Sequence, residues 1–205
     1  LEKNVLMIKA ESEEEIELIN KIACEMNKVA RVAVRVNPDV DAKTHPYIST
    51  GLSSNKFGVD SKTVLSIYKR RKDFSNIEFT GIDMHIGSQI TLIEPFVEAV
   101  QKLSDLYFEI EKDGLKLAHF DVGGGIGVSY NSEQSFSINE FAEKTIPLFK
   151  KLDCEIIFEP GRFLTANGGI LVTEVLYNKK NGDKNFVIVD SAMNDMLRPS
   201  IYQAY

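Results

Sequence analysis

Short apolar runs and helical repeats alternate along this chain with a period of about 40 residues, and that rhythm narrows the possible folds more than any other feature. Strands joined through helices enter the sheet from the same end, so the pattern means βα units and a parallel sheet. Val5 to Ile8 reads as the first strand. The next segment opens with the capping box Ser12 and Glu15 and carries Ile16, Ile19, Ile22, Ala23 and Met26 at helical spacing. Ala30 to Val36 is a second strand, ended by Asn37-Pro38. After a long loop, Ser61 is placed as the cap of a short helix with Val64, Leu65 and Tyr68 turned inward. Phe79 to His85 (strand), Pro95 to Lys112 (helix, closed at Gly114), Ala118 to Val122 (strand), Ser137 to Leu152 (helix, capped by Ser137 and Glu140) and Glu155 to Phe158 (strand) continue the alternation.

The pattern changes after Gly161. Ile170 to Tyr177 and Phe186 to Val189 flank Asn181-Gly182 with no helix between them, the signature of a β-hairpin. The expected fold is therefore α/β: residues 1–164 as part of a TIM-type (β/α)8 barrel, about its last five βα units, and residues 165–205 as the incomplete start of a mainly antiparallel β-domain.

Composition excludes several classes. The net charge of −6 is spread along the chain, with no basic stripe of the kind nucleic acid needs. No apolar stretch approaches a membrane span, and Leu1 to Asn4 does not open a secretory leader, so a cytoplasmic protein is expected. Cys24 and Cys154 lack metal or redox spacing and read as buried, reduced thiols. His45, His85 and His119 have no ligand spacing, and no metal site is expected.

An acidic chain that holds an anion must do so locally, with bare backbone and a few arginines. The loops at the strand C-termini, where α/β folds bind ligands, supply both. Asp121-Val122-Gly123-Gly124-Gly125-Ile126-Gly127 removes side chains so that successive N–H groups can close on a phosphate, although many such runs are only tight turns. Glu159-Pro160-Gly161-Arg162 places an acid, a bare backbone and an arginine at one strand end, which would also suit a surface ion pair. His85-Ile86-Gly87-Ser88-Gln89 ends the strand before the glycine loop, and Arg198-Pro199-Ser200-Ile201-Tyr202 follows Ala192-Met193-Asn194-Asp195.

Together with Arg35 to Asp39, Lys43 to Gly51 and Asn55 to Gly58, these motifs resemble, in order and over nearly the whole chain, the diaminopimelate decarboxylases of the fold-type III group, whose barrel is shared with alanine racemase. The combination of HPYISTG with MNDMLRPSIYQAY is the most specific part. The resemblance implies pyridoxal 5'-phosphate as cofactor, decarboxylation of meso-2,6-diaminopimelate to L-lysine and CO2 as the reaction, and a homodimer with a shared active site. It implies that Gly123, Gly124, Gly125 and Gly127 hold the phosphate with help from Ser88, Pro160, Gly161 and Arg162. It also implies that His85 stacks on the pyridine ring, that Glu159 faces the ring nitrogen, and that Arg162, Arg198 and Tyr202 bind the far amino-acid end of the substrate. A carboxylate roughly 4 Å from that nitrogen, at an effective dielectric of about 20, favours the protonated ring by ~4 kcal/mol. Alanine-racemising relatives place an arginine there instead, so Glu159 points to decarboxylation.

The family's Schiff-base lysine, on the first barrel strand, has no counterpart here. Lys9-Ala10 matches the surroundings of the fourth strand instead, and the C-terminal cysteine-glutamate motif is absent. A chain of about five units is expected to be part of a longer protein and to have no turnover alone. Three other readings stand beside this one: a decarboxylase of ornithine, arginine or a carboxylated polyamine, a non-catalytic pyridoxal-phosphate barrel, and a generic phosphate-binding barrel.

Overall fold

In the computed structural model, residues 1–43, 50–52, 55–130 and 134–202 are described, Tyr202 without its side chain. Five parallel strands lie in sequential order: β1 (Ile8–Ala10), β2 (Ala30–Val36), β3 (Ile77–Met84), β4 (His119–Asp121) and β5 (Glu155–Ile157). Between them run α1 (Glu13–Glu25), α2 (Ser61–Lys69), α3 (Glu94–Lys112) and α4 (Ile138–Phe149). Because βαβ crossovers are right-handed, an unreversed strand order puts every helix on the same face. That is the wall of a singly wound barrel, as expected from the sequence. A short helix α5 (Arg162–Thr165), an antiparallel hairpin β6 (Val175–Asn181) and β7 (Lys184–Val189), and α6 (Arg198–Tyr202) follow.

Local signals placed most elements, and pairing set their ends. Ser12 and Ser137 accept hydrogen bonds from the Glu15 and Glu140 amides, as their capping boxes require. α2 is capped by Asp60, not Ser61: the Asp60 carboxylate accepts from the Lys62 and Thr63 amides, and a carboxylate serves two orphan donors where a serine hydroxyl serves one. β1 begins at Ile8 rather than Val5, because pairing with β2 starts at Ile8 opposite Val32 and leaves Val5 and Leu6 half exposed. The hairpin turns at Gly182-Asp183, one residue later than the sequence suggests, since Asn181 still pairs with Lys184. Cys24 is exposed, not buried, because neighbouring Ala23 takes the core position on α1; Cys154 is half-buried, and both are free.

The core lies between sheet and helices. Val32, Val34, Ile82 and Phe120 from the strands meet Ile16, Val64, Ile67, Leu103 and Tyr107 from the helices, all essentially solvent-free. One irregularity in the sheet redirects a charged side chain. Opposite Val32 and Ala33, β3 skips Thr80, so the register runs Val32–Phe79 and then Ala33–Gly81. A bulge of one residue reverses which side chains face the helices. Phe79, edge-on to Tyr68 of α2, and Ile82 both enter the core, and Asp83 is turned to the opposite face. The buried Tyr68 hydroxyl donates to Gly81 O at 2.6 Å and accepts from Val34 N at 3.3 Å, supplying partners beside the interrupted ladder.

Candidate active site at the strand tips

The loops after β3, β4 and β5 are locked together by backbone contact. Gly123, at φ +71°, donates its amide to Asp121 Oδ1 at 2.9 Å, and its carbonyl accepts from Glu159 N at 2.9 Å. A Cβ on Gly124 would stand 2.1 Å from Glu159 O, and one on Gly125 2.1 Å from Gly87 O. Glycine is required at both, because no other residue lets three strand tips approach this closely. Gly125 O accepts from Ile90 N at 2.9 Å, and Ile90 O accepts from Gly127 N at 2.9 Å. Gln89, itself at φ +57°, adds a side-chain clasp: its amide donates to Val128 O at 2.6 Å and accepts from Val128 N at 3.2 Å. Among the described residues the N–H groups of Gly125 and Ile126 have no protein acceptor, so the cradle keeps free donors between braced neighbours.

His85 stands beside this loop. Its Nδ1 accepts the Gly124 amide at 3.2 Å, which fixes the neutral ring with its proton on Nε2. Burial, reinforced by the Arg35 guanidinium, lowers its pKa below the ordinary imidazole range, with Glu159 opposing. The result is a flat, uncharged ring at the strand tip. Arg35 in turn pairs with Glu11 and donates to His85 O at 3.4 Å, while Thr50 Oγ1 donates to the same carbonyl at 2.7 Å.

On the barrel-axis face, Asp83, Asp121 and Glu159 bring carboxylate oxygens within 4.8 Å of one another, and Lys9 fills the space among them. Lys9 Nζ lies 3.0 Å from Asp83 Oδ1, 2.5 Å from Asp121 Oδ2 and 2.5 Å from Glu159 Oε1. The first and last are aligned hydrogen bonds, and the Asp121 contact is an ion pair at a less direct angle. The register explains the reach. Lys9 lies level with Ala33 and Gly81, whose side chains leave the axis open, so the lysine rises past them to Asp83. Burial pushes Asp83 up to about 7, with Asp121 and Glu159 adding to the rise and Lys9 opposing it. Burial alone would lower the Lys9 ammonium, but the Asp83 charge, the close Asp121 carboxylate and the hydrogen bonds that Lys9 donates to Glu159 and Asp83 outweigh it and hold Lys9 above its ordinary value.

A second cluster forms above the glycine loop. Arg162 donates to Ser88 Oγ at 3.2 Å and to the Tyr130 hydroxyl at 3.0 Å, and the Arg198 guanidinium lies over the Tyr130 ring, 4.3 Å from its centroid. Among the described residues, Arg162 Nε and Arg198 Nε and Nη1 are buried without a protein acceptor, a donor set that fits an anion. Of the residues singled out by sequence, the structure thus gathers Glu159, His85, Ser88, Gly123, Gly124, Gly125, Gly127, Pro160, Gly161, Arg162 and Arg198 at one end of the sheet. Tyr202 ends α6, and its side chain lies outside the described residues, as does most of HPYISTG. Sequence reasoning gave no role in the site to Lys9 and Gln89, although both were named, and passed over Asp83 and Tyr130. A charge inside an apolar strand, as in Ile-Lys-Ala or Ile-Asp-Met, was the available signal for Lys9 and Asp83.

These features are those of a family. Residues 1–166 match the family described as pyridoxal-dependent decarboxylase, pyridoxal binding domain, and the chain belongs to it. Within that class it is similar along its entire length to the diaminopimelate decarboxylases of Haemophilus influenzae, at 47% identity over 100% of this chain and 50% of that protein, and Vibrio cholerae, at 44% over 100% and 49%. The crystal structure of diaminopimelate decarboxylase from Helicobacter pylori complexed with L-lysine superposes with a TM-score of 0.95 at 45% identity, covering 99% of this chain and 51% of that one. The chain spans about half the length of these relatives.

Proposed function

We propose that the protein decarboxylates meso-2,6-diaminopimelate to L-lysine with pyridoxal 5'-phosphate at the β3–β5 strand tips. The observation that carries this reading is the joint placement of Glu159, His85 and the glycine loop: Gly124 touches both the Glu159 carbonyl and the His85 ring. When bound, the cofactor supplies an electron sink for the charge that develops as CO2 leaves. The chain's own residues prepare that sink. The free amides of Gly125 and Ile126 hold the phosphate, with Ser88, Gly161 and Arg162 beside them. The neutral ring of His85 stacks on the cofactor, and Glu159 faces the ring nitrogen and keeps it protonated.

Arg162 and Arg198 take the far carboxylate of the substrate, supported by their unpaired guanidinium nitrogens and by Tyr130 between them, with Tyr202 as a further donor. A bare ammonium, as in ornithine, would meet two cations here. A homodimer sharing its active sites belongs to the same reading, supported by the exposed apolar residues Val175, Leu176, Tyr177 and Val187 on the hairpin. So does a domain division near residue 165, where pairing changes from parallel to antiparallel. A cytoplasmic location agrees with the described residues, none of whose helices is long and apolar enough to cross a membrane.

The test is CO2 release by the intact protein supplied with pyridoxal phosphate. Meso-diaminopimelate is the expected substrate. Turnover of ornithine or arginine in its place would overturn the roles of Arg162 and Arg198.

A further inference from the structure

Three carboxylates at this spacing are a liability. Like charges this close disfavour joint ionisation, and burial removes the water that would screen them. Asp83 and Asp121 have side chains only 2% and 1% exposed, while Glu159, at 45%, sits at the rim with a flexible stem. Nothing in the backbone fixes where the Glu159 carboxylate points. Its only polar side-chain partner among the described residues is Lys9, which holds Oε1 and leaves Oε2 free.

We propose that Lys9 is a positioning residue for this site: its ammonium is the resident counter-ion of the Asp83–Asp121–Glu159 cluster and, by gripping Oε1, sets Glu159 with Oε2 presented to the ring nitrogen of the cofactor. The proposal rests on the reading that Glu159 faces that nitrogen. By its sequence surroundings Lys9 is only a poor match for the Schiff-base lysine, and the geometry assigns it a different task. The lysine takes the space a cation would occupy among the three acids, so the cluster carries its own positive charge. The remaining titratable neighbours are His85, after β3, and Arg35, on β2. His85 is neutral and couples to Glu159, Lys9 and Asp121, while Arg35 is paired with Glu11 and donates to His85 O.

The experiment compares the intact protein with Lys9→Met and Lys9→Arg in two readouts. In cofactor-free protein, carboxyl-13C aspartate NMR follows Asp83, assigned by Asp83→Asn. Lys9→Met is expected to raise its midpoint by about one unit or more, and Lys9→Arg to leave it near the wild-type value. In pyridoxal-phosphate titrations, Lys9→Met is expected to weaken binding about tenfold, the worth of one charge-assisted hydrogen bond, and to shift the pH dependence of the bound cofactor's absorbance, with Lys9→Arg restoring most of both. A merely structural lysine would move neither the Asp83 midpoint nor the pH dependence. Unchanged values of both in a folded Lys9→Met protein overturn the proposal. If Lys9→Met does not fold, the double variant Lys9→Met with Asp83→Asn is expected to recover folding, because it removes one cation and one anion together; failure to recover also overturns it. Should the wild type not bind pyridoxal phosphate, the functional reading fails, and the Asp83 midpoint still decides whether Lys9 is the counter-ion.

Discussion

The strand tips of β3 to β5 and the hairpin β6–β7 are both β-structure rich in apolar residues, but they are held in opposite ways. At the tips, each loop is braced by the next through backbone contacts so close that a methyl group does not fit, and buried charges are matched one against another. Among the described residues the hairpin strands pair only with each other: Val175, Tyr177 and Val187 are more than half exposed, and a Cβ on Gly182 would meet nothing within 4 Å. A two-stranded hairpin of this kind is marginal in water. Precision resides where neighbouring strands constrain each other, and the C-terminal segment reaches the site chiefly through Arg198 over Tyr130.

The sharpest way to break this contrast is pH. Because Asp83 is raised to about 7, its contribution to stability is fully present below the ordinary carboxylate range and is lost as pH rises from about 4 to 7. The loss is on the order of 4 kcal/mol from this group, and Asp83→Asn should flatten the urea-unfolding profile over that window by a comparable amount. His85, lowered by burial, works the other way: its contribution is present above its ordinary value and is lost as pH falls through the folded one. An unchanged profile in Asp83→Asn would mean that the strand tips are no more charge-sensitive than the hairpin.

Gly124→Ala is expected to cost about 3 kcal/mol and to abolish pyridoxal-phosphate binding, measured by absorbance titration, since its Cβ would meet the Glu159 carbonyl. Tyr130→Ala removes both a hydrogen bond to Arg162 and a ring beneath Arg198. A loss of about 2 kcal/mol in kcat/KM for diaminopimelate is expected, and Tyr130→Phe should lose about half of that. Gly182→Ala, at φ +58°, should cost about 1 kcal/mol in thermal unfolding and leave cofactor binding intact. If Gly182→Ala impaired binding as much as Gly124→Ala, the two regions would not be separate in energy.

Much of this was legible in the residues. Capping boxes located α1 and α4, the glycine and EPGR motifs located the cradle, and the switch from helical to alternating pattern located the hairpin. Where reading failed, the signal was not local. The α2 cap moved to Asp60 because two neighbouring side chains compete for the same orphan amides. Tyr130 sits in an irregular loop with no periodicity to mark it. Lys9 was weighed only as a stand-in for the Schiff-base lysine and set aside, and its part in the acidic cluster was invisible because its partners Asp83 and Glu159 lie 74 and 150 residues away.

The sequence by itself determined the order of elements, the singly wound parallel sheet and the chemical character of each loop, because periodicity, capping and glycine content act over a few residues. Only the tertiary structure decided that a one-residue bulge at Thr80 turns Asp83 to the axis, that Ala33 and Gly81 clear a path for Lys9, and that one ammonium serves three acids. Those outcomes depend on register between strands and on burial, which lower the dielectric and bring distant charges together, and neither quantity is written in any single stretch of the chain.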